Sequence, residues 1–512
     1  MGGRGWRLAY TNKTMRALTL LALAAVSVCA QTIDTAALDA AVEKARVTFR
    51  APGIAVGLVR GNEVIYLKGF GVKRLGGNEA VTPDTRFAIA STTKAFASTA
   101  AAMLVDEGKM QWEDHPGRHL AGFRLADAQA NALVTMRDIL SHRTGLSRND
   151  VLWTGTGWTR AEILRHIVEV PLTKPFRSNW QYQNIMFMAA GEAVGQASGG
   201  TWEMFLGTRI LNPLGMSNTG FNAVDAQRAA DVASPHLADH GAVKEGKWHD
   251  VSNIGSAGSM NSSVRDMTKW LRLQMGGGVY DGQRLVSEKS LRETHSPQMV
   301  VRDEAPWGEL NPESNLRSYG MGWFVQDYRG RQLISHGGAI DGFRAQAGFL
   351  PKEQIGFIIL TNVNVTSVVE SLRYALLDIV LNVPEPRRDW ATLYKTVLDR
   401  QEREADAKKK DMLAKRVAGN RPSLALAEYA GAYENAGYGV ARVAALADGL
   451  QLEWGTWKLT LGHWHFDVFQ TKDDDSNQAN TPAQFLLNAE GKVEGVRFLE
   501  QTFRRRAARE GK

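Results

Sequence analysis

The sequence predicts an α+β fold: an antiparallel sheet flanked by helices and split in the chain by a mostly helical insertion, followed by a small all-β barrel or sandwich. Three observations predict it. Strand-like runs stand near residues 54–72 and again near 320–362, short helical segments fill the stretch between them, and alternating runs with turns return beyond a charged stretch around residue 400.

The elements follow in order. IAVGLV (54–59) and VIYLKGFGV (64–72) flank a polar turn at Arg60 to Glu63, a hairpin signal. From Ser91 to Glu107 the pattern turns helical, with Phe96, Ala100, Met103 and Leu104 on one stripe and Gly108 placed to end it. Residues from about 110 to 315 read as short helices and loops. GMGWFVQ, RQLISH and the pair FRAQAGFL/IGFIILTN then read as strands, with turns at Arg329-Gly330 and Pro351 to Gln354, before an amphipathic helix from Val365 to Val380. The early and late strands are expected in one sheet. In residues 385–424 a stripe of Trp390, Leu393, Tyr394, Val397 and Leu398 gives way to READAKKKD, a charged helical linker. Beyond residue 425, alternation at Leu450, Leu452 and Trp454 and around Phe485, Leu487, Val496 and Phe498 marks the β-rich domain, to residue 512.

The N-terminus reads differently. Arg4, Arg7, Lys13 and Arg16 precede an apolar run from Ala17 to Val28 and the small residues around Ala30, the pattern of a signal peptide over residues 1–30. The run is too short to span a bilayer, so no membrane span is expected after cleavage, and the expected location is periplasmic or secreted. Residues 1–30 hold four basic and no acidic residues, so their removal lowers the formal charge from +7 to +3 and weakens any case for a nucleic-acid partner. Cys29, the only cysteine, leaves with them, which excludes disulfides, thiol chemistry and cysteine-ligated zinc from residues 31–384 and beyond.

The stretch FAIASTTKAF (87–96) carries the chemistry. Ser91 and Lys94 are three apart at a helix start, so amine and hydroxyl share a face. A serine needs a base to become a nucleophile, and a buried lysine at a helix start can be that base if desolvation favours its neutral form. The backbone N–H of Ser91, at the helix N-terminus, can help hold an oxyanion. On its own, an S-x-x-K match is as readily an ordinary N-cap.

Two more stretches stand in a telling order. NWQYQNIMF places Tyr182 and Asn184 as Y-x-N at the start of a helical run, and LISHGGAIDGF places His336, Gly337 and Gly338 at a strand end. With S-x-x-K, they resemble the motifs of the penicillin-binding-protein and class C β-lactamase superfamily of serine hydrolases, and ILSHRTGL, LNPLGMSNTGF and YGMGWFV resemble its framework stretches. The resemblance covers residues 40–383. It implies Ser91 as nucleophile, Lys94 as its base, and Tyr182 as the residue that shares protons with Lys94 and serves the leaving group, its phenol lowered by a neighbouring ammonium. It further implies Asn184, His336, Gly338 and Ala339 as substrate-binding positions and the N–H groups of Ser91 and Ala339 as the oxyanion hole. No metal or organic cofactor is implied.

The third motif departs from the family's lysine-threonine-glycine. Histidine there is mostly neutral at pH 7, and family members that carry it include D-peptidases, D-aminopeptidases and esterases. The expected activity is therefore hydrolysis of peptide amides, with a carboxylesterase, a β-lactamase and a catalytically silent binding protein as rivals. The expected partner is a small peptide, amide or ester substrate, and homo-oligomerisation through the C-terminal domain stays open. His463, His465 and Asp467 fall on one face if strand alternation runs through HWHFDV, with Trp464, Phe466 and Val468 facing a core; no partner motif completes a metal site. His142 is expected to pack, and Arg344 is too ordinary a surface arginine to assign.

Overall fold

The computed structural model describes residues 33–302, 305–472 and 478–507, together with Gly2. The expected signal peptide and Cys29 therefore lie, Gly2 apart, outside the described residues.

Strands β1 (Gly53–Arg60) and β2 (Glu63–Gly71) form the first hairpin. The later strands are β3 (Met299–Val300), β4 (Arg317–Tyr319), β5 (Phe324–Tyr328), β6 (Arg331–Ile340), β7 (Phe343–Leu350) and β8 (Ile355–Thr361). They join in one antiparallel sheet of order β2-β1-β8-β7-β6-β5-β4-β3, with Ile54 opposite Thr361 and Arg60 opposite Ile355 where the two ends of the domain meet. β1 and β8 read as unbroken apolar runs because both faces are covered. Ala55, Val59, Ile358 and Leu360 point into one core, and Ile54, Val56, Leu58, Phe357 and Ile359 into the other.

Helix α1 (Thr35–Thr48) lies on the second of these cores. Helices α2 (Thr93–Asp106), α3 (Asn184–Ser198) and α4 (Val264–Met275) belong to the first, and α5 (Thr366–Val380) returns to the second. Gly108, just past α2, takes a left-handed φ of 68°.

GMGWFVQ departs from expectation. The strand starts only at Phe324, because Gly320 to Trp323 turn between β4 and β5. Gly322 has a φ of 78°, and a Cβ there would lie 2.8 Å from the carbonyl oxygen of Lys94, so the turn presses directly on the backbone of α2.

The charged linker forms a long helix, α6 (Trp390–Ala414). Its expected apolar stripe docks: Trp390, Tyr394 and Val397 are buried in the α1–α5 layer, and the Trp390 indole N–H donates to Asp378 at 2.8 Å. From Arg403 to Gly419 every residue is exposed.

Eight strands then close a barrel: β9 (Gly431–Asn435), β10 (Gly439–Leu446), β11 (Gly449–Trp454), β12 (Trp457–His465), β13 (Val468–Thr471), β14 (Pro482–Leu487), β15 (Val493–Phe498) and β16 (Gln501–Arg505). β16 pairs back onto β9, and Leu450, Leu452, Phe485 and Val496 fill the interior. The alternation expected through HWHFDV is overturned here. Phe466 and Asp467 form the turn between β12 and β13, with Phe466 at a φ of 48° and exposed. Asp467 accepts from the Ser423 backbone and hydroxyl and from the Tyr429 phenol, while the His463 imidazole bonds the Phe466 carbonyl. His465 Nδ1 accepts from the Val417 N–H, so the three residues tie the turn and the strand end to the segment after α6.

Candidate active site

The backbone before Ser91 is fixed from two sides. Phe87–Ala88 pairs with Asn261–Ser262, and the Ile89 N–H donates to the Met260 carbonyl at 3.0 Å. Ala90 then takes a φ of 45°, a conformation uncommon for alanine, and Ser91 sits in a single 3₁₀ turn (Ala90–Thr92) before α2 begins. The hydroxyls of Thr92 and Thr93 donate back to the carbonyls of Ile89 and Ala90, closing the turn.

Lys94, fully buried, reaches three oxygens with its Nζ: Ser91 Oγ at 3.1 Å, Asn184 Oδ1 at 2.8 Å and the Ala257 carbonyl at 2.7 Å. The amide and carbonyl oxygens only accept, whereas the hydroxyl can also donate. A neutral amine satisfies all three by donating twice and turning its lone pair to the Ser91 O–H. Burial pushes the lysine pKa well below its ordinary 10.5, Arg148 lowers it further, and Asp150 opposes. The arrangement can activate Ser91 without another base.

The Tyr182 ring lies 4.7 Å from Lys94 Nζ, beside Ser91. Burial raises this phenol above its ordinary 10.0, outweighing the opposite effects of the Ser91 side chain and the charge of Arg148. The expectation of a lysine-lowered phenol thus gives way to a neutral phenol, able to pass a proton while donating its own. Tyr182 is held from behind: the Gln181 N–H donates to the His142 carbonyl at 2.8 Å, the Gln183 N–H to His142 Nδ1 at 3.0 Å, and the His142 ring lies 4.3 Å from that of Tyr182. His142 packs, as expected.

Asn184 opens α3 and is engaged twice. Its oxygen takes the Lys94 amine, and its Nδ2 donates to Asp150 Oδ1 at 3.0 Å. The side chain therefore positions Lys94 and borders the cleft at the same time. Asp150 also pairs with Arg148 at 2.6 Å, and the Arg148 guanidinium covers the Tyr182 ring at 5.0 Å. Neither Arg148 nor Asp150 carries a sequence signal, since both lie in an aperiodic loop. Their charges make a test. Log kcat/KM should rise with pH as Lys94 loses its proton. Arg148→Gln should move that rise to higher pH, because a cation that disfavours the ammonium is gone, and Asp150→Asn should move it to lower pH. Displacement of both profiles in one direction would break the assignment of the rise to Lys94.

His336 is not brought to the cleft. Its ring is buried, with Nε2 3.0 Å from the Tyr319 hydroxyl and Nδ1 2.6 Å from the Gly337 carbonyl, and desolvation lowers its pKa to about 3. It is a neutral strut behind Tyr182, with ring centroids 6.2 Å apart, and does not line the cleft that Ser91 borders. Gly338 is likewise buried, and its role is proximity: a Cβ there would lie 2.1 Å from the Ile89 carbonyl oxygen. Ala339, next along β6 and exposed, borders the cleft with Ser91. Arg344 donates to Thr366 and to the carbonyls of Ile340 and Phe343, which ties the β6–β7 turn together.

Ser91, Asn184 and Ala339 open onto a cleft of about 910 Å³. Its walls come from the helical insertion, the β6–β7 turn and the barrel, which contributes Thr456, Trp457 and Lys458. His249 and Asp341, 2.6 Å apart, pair across its rim.

Among the described residues no helix is long and apolar enough to cross a membrane. Unguisins hydrolase ungD of Aspergillus violaceofuscus is 28% identical to this chain over 491 residues, covering 86% of this chain and 84% of its own. The octameric penicillin-binding protein homologue from Pyrococcus abyssi matches in structure with a TM-score of 0.61 at 20% identity, over 92% of this chain and all of its own. The D-amino acid amidase from Ochrobactrum anthropi SV3 matches with a TM-score of 0.55 at 22% identity, over 67% of this chain and 99% of its own. A domain of unknown function, DUF3471, matches residues 415–509, a span that includes the barrel. The Beta-lactamase family model matches residues 38–381, the whole of the split sheet and its insertion, and the chain therefore belongs to the beta-lactamase family of serine hydrolases.

Proposed function

We propose that this hydrolase cleaves amide bonds of small peptides and amino-acid amides, D-residues included, through an acyl-enzyme on Ser91, and that it acts outside the cytoplasm. The observation that carries the mechanism is the contact of a buried, charge-disfavoured Lys94 amine with Ser91 Oγ at 3.1 Å. Ser91 Oγ attacks the amide carbonyl carbon while its proton passes to the Lys94 nitrogen, and the oxyanion lies against the N–H groups of Ser91 and Ala339. The tetrahedral intermediate collapses, the C–N bond breaks, and the departing amine takes the proton back through Lys94 and the Tyr182 hydroxyl. Water then attacks the ester, giving its proton to the same pair, and the released Ser91 oxygen recovers one.

Peptides are favoured over β-lactams because the third motif presents no cation: His336 is buried and neutral. The name of the unguisins hydrolase supports hydrolysis, and that of the D-amino acid amidase supports amides as the class. The basic and apolar pattern of residues 1–30 supports export.

Intact-mass spectrometry of the mature protein with a fluorophosphonate and with penicillin, beside Ser91→Ala, tests the nucleophile. Peptide p-nitroanilides against p-nitrophenyl esters test the bond. Adducts on Ser91 alone, turnover of anilides, and a mature chain starting at Gln31 are expected. Turnover of esters only would replace the amidase with an esterase, rapid penicillin turnover would replace it with a β-lactamase, and no adduct on folded protein would overturn the enzyme reading.

A further inference from the structure

The helical insertion and the barrel meet through backbone. Gly455, at a φ of 59°, brings the turn between β11 and β12 so close that a Cβ there would lie 2.2 Å from the Gly155 carbonyl oxygen. The Thr456 N–H donates to that same carbonyl at 2.8 Å. Gly155 in turn has no side chain, and a Cβ on it would meet the Trp457 ring at 2.7 Å. Nearby, the Tyr438 hydroxyl donates to Asn149 Oδ1 at 2.7 Å, in the loop that carries Arg148 and Asp150. Two facing glycines thus seat one indole over the insertion, at the border of the cleft that holds Ser91.

That indole has company. Trp153, its N–H fixed on Asp150 at 2.9 Å, and Trp248, packed on Phe343 at 4.5 Å, border the same cleft from two other segments, and all three tryptophans are only partly buried. Partly exposed tryptophans converging from three parts of a chain offer a binding surface for apolar and aromatic groups. We propose that Trp457 makes the barrel a specificity element: with Trp153 and Trp248 it selects substrates that carry a bulky apolar or aromatic side chain beside the scissile bond. The substrate class rests on the amidase reading; the role of Trp457 in selection does not.

The test uses the full-length protein, wild type, Trp457→Ala and Trp457→Phe, with two substrate pairs. Peptide anilides with phenylalanine or glycine next to the scissile bond report on turnover, and an arylalkyl or a methyl fluorophosphonate reports on the rate of Ser91 labelling. Trp457→Ala should lower kcat/KM for the phenylalanine substrate about 10- to 100-fold, mostly in KM, as expected for losing one aromatic contact area. The glycine substrate and the methyl probe should change little, and Trp457→Phe should recover most of the preference. Equal losses for both members of each pair would mean that Trp457 only seats the barrel, and no loss for either would mean that it touches no substrate; both overturn the proposal. If wild type cleaves neither anilide, the amidase reading falls, while the ratio of the two labelling rates still decides the role of Trp457. Absence of any labelling overturns both.

Discussion

Replacing Lys94 by alanine should lower kcat/KM about 10²- to 10⁴-fold, the usual contribution of a positioned general base. The reason is specific to the geometry. Among the described residues Lys94 is the basic group in hydrogen-bond contact with Ser91 Oγ, and Asn184 and the Ala257 carbonyl hold its nitrogen in place. Tyr182→Phe should cost a comparable factor, because the neutral phenol beside Lys94 is the second member of the proposed proton path. In the double variant the losses should fall far short of their product, since a path already broken at Lys94 loses little at Tyr182. Steady-state kinetics on the two single variants and the double variant, with unfolding curves to show that each is folded, measures this. Losses that multiply would mean two independent roles and would refute the shared path.

The second large effect is expected from a single methyl group. Gly338→Ala places a Cβ 2.1 Å from the Ile89 carbonyl oxygen and 3.2 Å from the Ala345 Cβ, and neither neighbour is the end of a flexible side chain. Either β6 or the Ile89–Ser91 turn must withdraw. Ser91 follows Ile89 by two residues and Ala339 follows Gly338 by one, so withdrawal separates the two N–H groups proposed to hold the oxyanion. We expect kcat to fall about 10²- to 10³-fold, as for removal of an oxyanion donor, and stability to fall by about 1–3 kcal/mol from overpacking. Gly337→Ala is the control, since the nearest atom to its Cβ would be the side-chain end of Gln346, at 2.9 Å, and the nearest backbone atom, the Ala345 carbonyl oxygen, would lie at an ordinary 3.7 Å. Similar kcat losses in both variants would show that the strand tolerates no side chain there, and the oxyanion argument would fail.

The parts of the site set by periodicity were legible in the sequence, and those set by convergence were not. Ser91 and Lys94 meet because residues three apart at a helix start share a face. β1 and β8 could be placed in one sheet because each is a bounded apolar run. Arg148 and Asp150 come from a loop, Ala257 ends a short 3₁₀ segment and Trp457 opens β12, and they meet only in the fold, where neighbours in space are distant in the chain and no spacing announces them. His336 shows the intermediate case. Its position at a strand end could be read, but the direction of its ring depends on which face of β6 is covered by Tyr319. HWHFDV misled because its turn lacks the usual glycine or asparagine: Phe466 itself adopts the left-handed conformation.

Helix α6 carries a consequence for how the cleft is closed. At 25 residues it is a rod of about 37 Å. One end is rooted by Trp390, and just past the other Arg416 donates to the Trp464 carbonyl at the end of β12 and Asn420 accepts from the Phe466 N–H of the β12–β13 turn. The barrel is thereby tethered near the Gly155 carbonyl, which makes its docking an intramolecular step. Apolar packing joins those bonds, since Tyr438 and Trp454 of the barrel share one core with Leu152, Ile163 and Val170 of the insertion. Insertions or deletions in the exposed stretch from Arg403 to Gly419 would change the phase and reach of the rod, and, with Trp457 acting as proposed, would alter substrate choice without touching a residue of the cleft.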